Sequence, residues 1–540
     1  MQTERRYPIG IQTFSEIINR GCVYVDKTDL MWRAQQLSKY IFLSRPRRFG
    51  KSLLSTTFCS FFRGERHLFE GLKVMQLETE WTQYPVIHLD MSRAKDSMSA
   101  EALTDNLHYI LSPYERQYNP PATSTPGNKL DAIIRCAYEQ TGRQVVVVID
   151  EYDAPLLDVL HEDELLPTFR KVMQEFYKTL KASEAMIRFC FITGITKFSQ
   201  LSIFSTLNNL NNISMLPQFA AICGITETEL TTTLAPDIAL LAEAYEETPE
   251  QMHARLKQRY DGYHFAELSE DIYNPYSLFK CFANKKVDNY WFDSGTPSFL
   301  LRQMEHFRTD ITAMEHIEAP AAGFDVPTEA MTDALPLLYQ SGYLTIKDYD
   351  REVDTFTLSI PNQEVRVGFA FGLMPSYTGL QPASVQVGFA VRFYRALKAH
   401  DLDLALREMQ AYFAGLPYIE GFKKKMGDIT KAEGFYEWTF YLIFSMLNVY
   451  VRTQVKTIRG RIDIVVKMPD AIYVMELKVR SAQRDASHLK NGTAREALEQ
   501  LNSRGYASPY QTDARPVHKV GICFSMETLT IEDWEIEGEE

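Results

Sequence analysis

The sequence predicts an α/β protein built from a parallel sheet with helices on both faces, a helical and winged-helix-like middle region, and a second α/β domain towards the C-terminus. Three observations predict it. Short apolar runs at residues 40–43, 86–89, 145–149 and 189–193 are separated by helix-length amphipathic stretches, the spacing of parallel strands joined by crossover helices. Beyond Gly224 the pattern turns helical and rich in Leu, Ala and Glu as far as Tyr260, where the turn Tyr260-Asp261-Gly262-Tyr263-His264-Phe265 follows. From residue 435 onward the pattern is helix, three strands, helix, strand. A chain of 540 residues has room for about three or four domains at roughly 100–200 residues each. The expected division is residues 1–224, 225–366, a helical connector at 367–420, and 421–540.

In the middle region, residues 334–341 read as a short helix and 343–346 and 355–360 as strands, with the polar turn Lys347-Asp348-Tyr349-Asp350-Arg351 between them. A helix followed by a hairpin resembles a winged helix. It reads either as a packing module or as a nucleic-acid reader, and the lack of a clearly basic recognition helix favours packing. In the last domain the expected elements are a helix at 435–447, strands at 449–455, 461–467 and 472–479, a helix at 493–503 and a strand at 519–524.

Composition excludes several classes. With 45% hydrophobic, 12% aromatic and 24% charged residues, the chain is ordinary globular protein and neither disordered nor fibrous. Its first six residues lack the apolar core of a signal peptide. Two charge-free stretches, 198–226 and 367–391, are long enough to span a bilayer, but Asn and Pro in the first and Pro, Ser, Thr and Gln in the second argue against a membrane helix. The seven cysteines are scattered and include no Cys-x-x-Cys, so neither a disulfide framework nor a zinc site is expected, and a cytoplasmic location in a reducing cytosol fits. Net charge is −13, yet residues 421–519 hold 17 Lys and Arg against 10 Asp and Glu, a local +7 where a nucleic-acid surface could lie.

The first chemical motif is Ser44-Arg45-Pro46-Arg47-Arg48-Phe49-Gly50-Lys51-Ser52, placed between the strand at 40–43 and an apolar helix at 53–62. That is the context of a phosphate loop. The backbone N–H groups of Phe49 to Ser52 can point into the loop at a helix N-terminus, Lys51 can reach the β and γ phosphates, and the Ser52 hydroxyl can hold Mg²⁺. Arg48 is grouped with them as part of the nucleotide site. Arg45 stands where the general G-x-x-x-x-G-K-[ST] pattern has its first Gly. The run Val145-Val146-Val147-Val148-Ile149-Asp150-Glu151 is a buried strand ending in two acids, the place where such enzymes keep a metal carboxylate, Asp150, and a base for the attacking water, Glu151. Thr193 or Thr196, closing a further strand, is the expected polar sensor of the γ-phosphate. These features give the first domain a P-loop NTPase-like reading with ATP and Mg²⁺ as ligands.

The second motif is Asp463 on one expected strand, and Glu476 and Lys478 on the next. Side chains two apart on a strand share a face, so Glu476 and Lys478 point one way while Met475, Leu477 and Val479 point the other. Two charges on one face of an apolar strand are costly unless they meet partners. If the strands pair, Asp463, Glu476 and the Leu477 carbonyl can surround a Mg²⁺ ion while Lys478 orients or deprotonates water, which is the chemistry of metal-assisted phosphodiester hydrolysis.

The stretches 45–52, Ile149-Asp150-Glu151-Tyr152-Asp153, Phe204-Ser205-Thr206-Leu207-Asn208-Asn209-Leu210, Tyr260-Asp261-Gly262-Tyr263 and Ile360-Pro361-Asn362-Gln363-Glu364-Val365 resemble bacterial AAA-ATPase-like proteins with a C-terminal PD-(D/E)xK nuclease domain. The resemblance runs along nearly the whole chain. It implies that R-P-R-R-F-G-K-[ST] is the family's own form of the loop, so that Arg45 is no departure from it. Arg47 and Arg48 are candidates for an arginine finger or for phosphate-proximal positive charge. The resemblance also implies a restriction-endonuclease-like last domain. Gly460-Arg461, the strand-strand-helix order, and a helix carrying Gln500 followed by Tyr506 are similar to that domain. Upstream, Glu433 matches the family's first acidic position better than Glu437, and Gln500 is expected near the metal or the scissile phosphate.

Together these readings describe an ATP-binding, ATP-hydrolysing switch coupled to a Mg²⁺-dependent nuclease, acting on DNA in preference to RNA, with the oligomeric state left open. The alternative is a signalling or interaction protein in which nucleotide controls partner contacts and the last domain only grips nucleic acid. A third reading, a transcriptional regulator, rests on the winged-helix-like segment. Intact Asp463, Glu476 and Lys478 favour the enzyme, since a binding-only protein has no chemical need of all three.

Overall fold

The computed structural model describes residues 5–160, 162–197, 209–292, 298–307, 309–327, 331–378, 383–415, 436, 439–445, 450–457, 460–480, 492–525, 527–528 and 530–537. The chain divides into two compact units, Met1–Thr309 with His316–Glu364, and Asp310–Glu315 with Val365–Glu540.

The first unit is organised by a parallel sheet of β1 (Tyr40–Ser44), β2 (Val86–Asp90), β3 (Val145–Asp150), β4 (Ile187–Gly194) and β5 (Asn211–Asn212), in the order β2-β3-β4-β1-β5. Every residue of β3 is buried, and Val145 to Ile149 are 0% exposed. That explains the unbroken apolar run, because a central strand covered on both faces has no polar side. At about 1.5–3 kcal/mol for each fully buried aliphatic side chain, this strand anchors the core. β4 separates β1 from β3. Parallel register aligns Leu43 with Thr193, Ile149 with Ile192, and Asp90 with Asp150, so all the strand ends meet at one rim. β4 begins two residues before the expected run. β5 was not foreseen, since two asparagines carry no strand signal and form one only by pairing with Ile41 and Phe42.

Beyond the sheet, β6 (Ile225–Thr226) pairs antiparallel with β7 (Ile272–Tyr273) and opens a helical segment: Glu227–Thr232, Ala235–Ala244, Pro249–Tyr260 and Pro275–Asn284. Thr226 starts it with a capping box closed by Glu229. Leu230, Leu234, Met252, Leu256 and Leu278 share its core. The winged-helix-like element is the helix Leu335–Gln340 with β9 (Thr345–Asp350) and β10 (Thr355–Ser359), to which β8 (Ile317–Ala319) adds a third strand beside β10. The expected polar turn is shifted. Residues 347–350 continue the strand and the reversal falls at Arg351 to Asp354, with Asp354 at φ 50°.

In the second unit the helices Gln363–Thr378, Ala383–Lys398 and Leu402–Ala414 precede a sheet of β11 (Tyr450–Thr457), β12 (Gly460–Lys467), β13 (Ile472–Arg480), β14 (Val517–Ser525) and β15 (Ile531–Glu537) in sequential order. Only β13 and β14 are parallel, and their crossover contains the helix Ala494–Arg504, capped by a Thr493–Glu496 box. β15 was not expected from its charged sequence. It is an edge strand with a single buried residue, Ile531. Among the described residues, no helix is long and apolar enough to cross a membrane.

Gly194, the last residue of β4, has no room for a side chain: a Cβ there would lie 2.4 Å from Asp153 Oδ1 and 2.6 Å from the Tyr152 ring. Gly194→Ala should therefore lower stability by roughly 1–3 kcal/mol, read as a fall in the urea midpoint at unchanged slope.

Candidate active sites

The loop after β1 sets its backbone with two residues of positive φ, Arg48 at 67° and Gly50 at 91°, and then enters the helix Lys51–Phe62. It borders a cavity of about 420 Å³. The cavity is bounded by residues 47–54 and Glu151 on the phosphate-loop side, and by Ile11, Val23, Val25, Ile225, Tyr276 and Phe279 on an apolar side. A polar cradle at one end and an apolar slot at the other suit a nucleotide.

Lys51 is buried and donates to the Arg45 and Pro46 carbonyls at 2.9 and 3.0 Å. Burial pulls its pKa down, while Glu151, Asp150 and Asp153 pull it back up. Asp150 is 4% exposed; burial pushes its carboxyl up to about 6, opposed by a hydrogen bond from Ser52 and by the charge of Lys51. Its Oδ1 also accepts from the Glu151 amide at 3.1 Å. Glu151 turns out of the strand at φ 49°, a left-handed conformation that a bulky residue adopts at a cost. Ser52, Asp150 and Glu151 are thus brought together at the strand rim. A buried carboxylate joined to a hydroxyl at the mouth of a phosphate loop fits a divalent cation that keeps most of its water shell.

Thr193 and Thr196 stand apart from this cluster. Both are fully buried; Thr193 Oγ1 donates to Leu43 O at 2.8 Å and Thr196 Oγ1 to Asp153 Oδ2 at 2.7 Å. Arg48 places its guanidinium 4.1 Å over the Tyr276 ring and donates to Tyr290 O, reaching the helical segment, while its backbone lines the cavity. Phe49 is buried edge-on against Tyr263 and Phe265, so what it offers a ligand is its backbone.

The sequence reading missed the part played by Asp153. Its Oδ2 accepts from Ile195 N, Thr196 N and Thr196 Oγ1 at 3.0, 2.7 and 2.7 Å, holding the chain as it leaves β4. The signal was present as a third acid in the Asp150-Glu151-Tyr152-Asp153 run, but a carboxylate spent on backbone donors looks the same in sequence as one aimed at a ligand.

In the second unit β12 and β13 pair from Lys467 and Ile472 to Ile464 and Met475, and the ladder stops one step short of Asp463 and Glu476. There Asp463 Oδ2 accepts from the Leu477 amide at 2.7 Å in place of a strand carbonyl. Glu476 is 2% exposed. Its Oε1 lies 3.6 Å from Lys478 Nζ and accepts from Gln500 Nε2 on the helix Ala494–Arg504. Burial and the neighbouring Asp463 charge push Glu476 well above the usual carboxylate range, with Lys478 opposing. Glu476 Oε2 is buried and has no hydrogen-bond partner among the described residues. An orphaned oxygen beside a second carboxylate is a site with negative charge to spare, and it fits a divalent cation. Two carboxylates and the Leu477 carbonyl are the described donors; among the described residues no group of three His, Cys, Asp or Glu clusters, and Glu433 lies outside them.

Glycines shape this site. A side chain at Gly460 would meet the Tyr506 hydroxyl at 2.3 Å, which gives the Gly before Arg461 its physical reason. A Cβ at Gly492 would sit 2.5 Å from Lys478 Cβ, so the bare backbone of Gly492 backs the lysine. Nothing in a lone Gly ahead of a helix cap announces that role.

A phosphate-loop α/β domain and a carboxylate-lysine nuclease-type site on a mixed sheet, carried on one chain, define a nucleotide-binding protein with a nuclease fold. Family models agree. A predicted AAA-ATPase domain matches residues 8–204, and a PD-(D/E)XK nuclease superfamily domain matches residues 431–534. A protein of Azotobacter chroococcum mcd 1, described as an uncharacterized protein in the vnfD 5' region, is 32% identical over 549 residues, covering 99% of each chain. The chain belongs to this family of predicted AAA-ATPases with a C-terminal PD-(D/E)XK nuclease domain. Among solved structures, the Aeropyrum pernix ORC2 protein in its ADPNP and ADP complexes matches 62% of this chain and 88% of its own at 14% identity, with a TM-score of 0.23. The two domains imply nucleotide binding and the use of divalent metal in general.

Asp153→Ala should cost about 3 kcal/mol or more, because it strands two buried amides and a hydroxyl, whereas Asp153→Asn keeps an acceptor and should cost less. Urea unfolding of the two variants checks the order.

Proposed function

We propose that the chain is an ATP-hydrolysing switch coupled to a Mg²⁺-dependent nuclease that cuts DNA in preference to RNA. The observation that carries the nuclease half is the orphaned, buried Glu476 Oε2 beside Asp463, with Lys478 on the same strand face. A protein that only gripped nucleic acid would gain nothing from burying an unsatisfied carboxylate, which is costly unless a cation meets it. In this reading Asp463, Glu476 and the Leu477 carbonyl hold the ion, with Glu433 as a further ligand, Lys478 orients or deprotonates the attacking water, and Gln500 keeps Glu476 in place. The basic balance of residues 421–519 supplies the attraction to phosphate.

At the other site the backbone of Arg48 to Ser52 cradles the phosphates. Lys51 exchanges its carbonyl partners for phosphate oxygens, Ser52 and Asp150 hold the ion, and Glu151 takes a proton from the attacking water. Thr196 supports this rim through Asp153. When bound, Mg²⁺ supplies at each site positive charge where negative charge develops in phosphoryl or phosphodiester transfer.

Lys51→Ala should weaken ATP binding by roughly 10- to 100-fold with the fold intact, as calorimetry would show. Glu151→Gln should bind ATP normally and lose about 100-fold or more in turnover; unchanged turnover would remove its role as base. Incubation with plasmid, linear and single-stranded DNA and with RNA, with and without Mg²⁺ and ATP, tests the nuclease. Asp463→Ala and Lys478→Ala should each abolish cleavage while leaving DNA binding and ATP turnover in place, and cleavage at the wild-type rate in Asp463→Ala would sink the assignment. If the activities are coupled, Lys51→Ala should change the cleavage rate.

A further inference from the structure

A second cavity, of about 510 Å³, lies on the far side of Ser52 and Glu151 from the nucleotide cavity. Gln12, Ser52 and Glu151 line both, so these residues form the wall between them. The second cavity differs from the first in chemistry. The hydroxyls of Ser52, Thr56, Ser60, Ser92 and Tyr114 line it, with His88, and the exposed Arg63 and Arg93 stand among its lining residues.

Its charges are uneven. Arg93 pairs with Asp90 through Nε at 3.6 Å, and Asp90 Oδ1 is further engaged by the Ser92 amide and hydroxyl at 3.1 and 2.6 Å. Asp150 is engaged by Ser52. The Arg63 backbone N–H donates to Cys59 O at 3.0 Å, and its guanidinium has no ion-pair or hydrogen-bond partner among the described residues. His88 Nε2 is buried and unpartnered, while the His88 backbone is clasped on both sides by Tyr114, whose hydroxyl accepts from His88 N at 2.7 Å and donates to His88 O at 2.8 Å. The pocket therefore offers an uncommitted guanidinium, an uncommitted imidazole and a set of hydroxyls, a combination suited to a small oxyanion.

We propose that this cavity binds inorganic phosphate and is the chamber into which the product phosphate passes. The inference rests on the ATP-hydrolysis reading. In that reaction the oxygen of water bonds to the γ phosphorus and the bond to the β–γ bridging oxygen breaks. ADP leaves with that electron pair, and the proton of the water goes to Glu151. Product phosphate is then bounded on one side by ADP, held by the loop backbone and Lys51. The nearest open volume on its other side is the second cavity. Arg63, at the exposed side of that cavity, draws the phosphate towards solvent.

Equilibrium dialysis with inorganic phosphate as the probe tests this on the full chain, with and without Mg²⁺ and ADP. Wild type should bind a phosphate that survives saturation with ADP. Arg63→Gln with Arg93→Gln, both at exposed positions, should weaken that phosphate by about tenfold or more and leave ADP affinity unchanged. Lys51→Ala should instead remove ADP and leave this phosphate in place. No ADP-resistant phosphate in wild type, or equal phosphate affinity in the double variant, overturns the proposal. A chain that shows this phosphate site but never turns over ATP fails the hydrolysis reading alone, leaving an oxyanion site in place of an exit chamber.

Discussion

The phosphate loop depends on a buried charge that, among the described residues, has no carboxylate to meet it. Arg45 is 2% exposed, and its guanidinium donates to the carbonyls of Ser44, Ser214, Phe219 and Ala220 at 2.8–3.3 Å while lying 4.1 Å from the centre of the Phe265 ring. Burial pulls its pKa down to about 10, which still leaves it charged at neutral pH. Main-chain dipoles and an aromatic face replace the counter-ion, so the segment after β5 and the turn after Tyr260 must stand where they do for Arg45 to be tolerated. In return the loop is tied at its first residue, and the Arg45 carbonyl becomes a resting partner for Lys51. Glycine at that position would leave the loop free of these ties.

The same economy of buried charge governs the other end of the chain. At the β12–β13 step the strand ladder gives way to a side chain, Asp463, which takes the amide of Leu477. Glu476 is held by Gln500 and Lys478 on one oxygen and left bare on the other. A fully satisfied Glu476 would be more stable and chemically idle. Stability is given up at one atom, and that atom is left with negative charge to spare.

The stretches 260–263 and 360–365 in the middle of the chain meet at a joint. Gly262, at φ 98°, lets the Pro361 carbonyl approach to 2.4 Å of where a Cβ would be. Lys347 Nζ bridges the Gly262 and Pro361 carbonyls, and Asn362 donates to the Asp261 carbonyl. Glu364 accepts from the amides of Tyr290 and Trp291, and burial pushes its carboxyl up to about 7. Because Arg48 donates to the Tyr290 carbonyl, a single peptide segment is held by the phosphate loop on one side and by Glu364 on the other. The hairpin beside this joint is acidic: Asp348, Asp350, Glu352 and Asp354 outnumber Arg351 at its outer end, and Lys347 is committed to carbonyls. That charge suits packing and opposes a grip on the phosphate backbone.

Much of this was legible in the chain because the relevant constraints are local. An unbroken Val run ending in Asp-Glu points to a buried central strand and Glu-x-Lys to two charges on one face of a strand, both through backbone periodicity, while Gly-Lys-Ser reads as a phosphate loop only through its place between a strand and a helix. What the sequence could not decide is which polar groups are spent on the protein itself. Asp153 and Thr196, Arg48 and Arg45 carry the same charges and hydroxyls as ligand-binding residues, yet the fold commits Asp153 and Thr196 to each other and the two arginine side chains to backbone carbonyls and rings. Leaving Glu476 Oε2 bare, setting Asp90 beside Asp150, and opening a second cavity behind Ser52 are likewise results of tertiary structure. Each depends on partners brought from distant segments, and hydrogen-bond satisfaction is a property of the assembled neighbourhood and not of any residue in isolation.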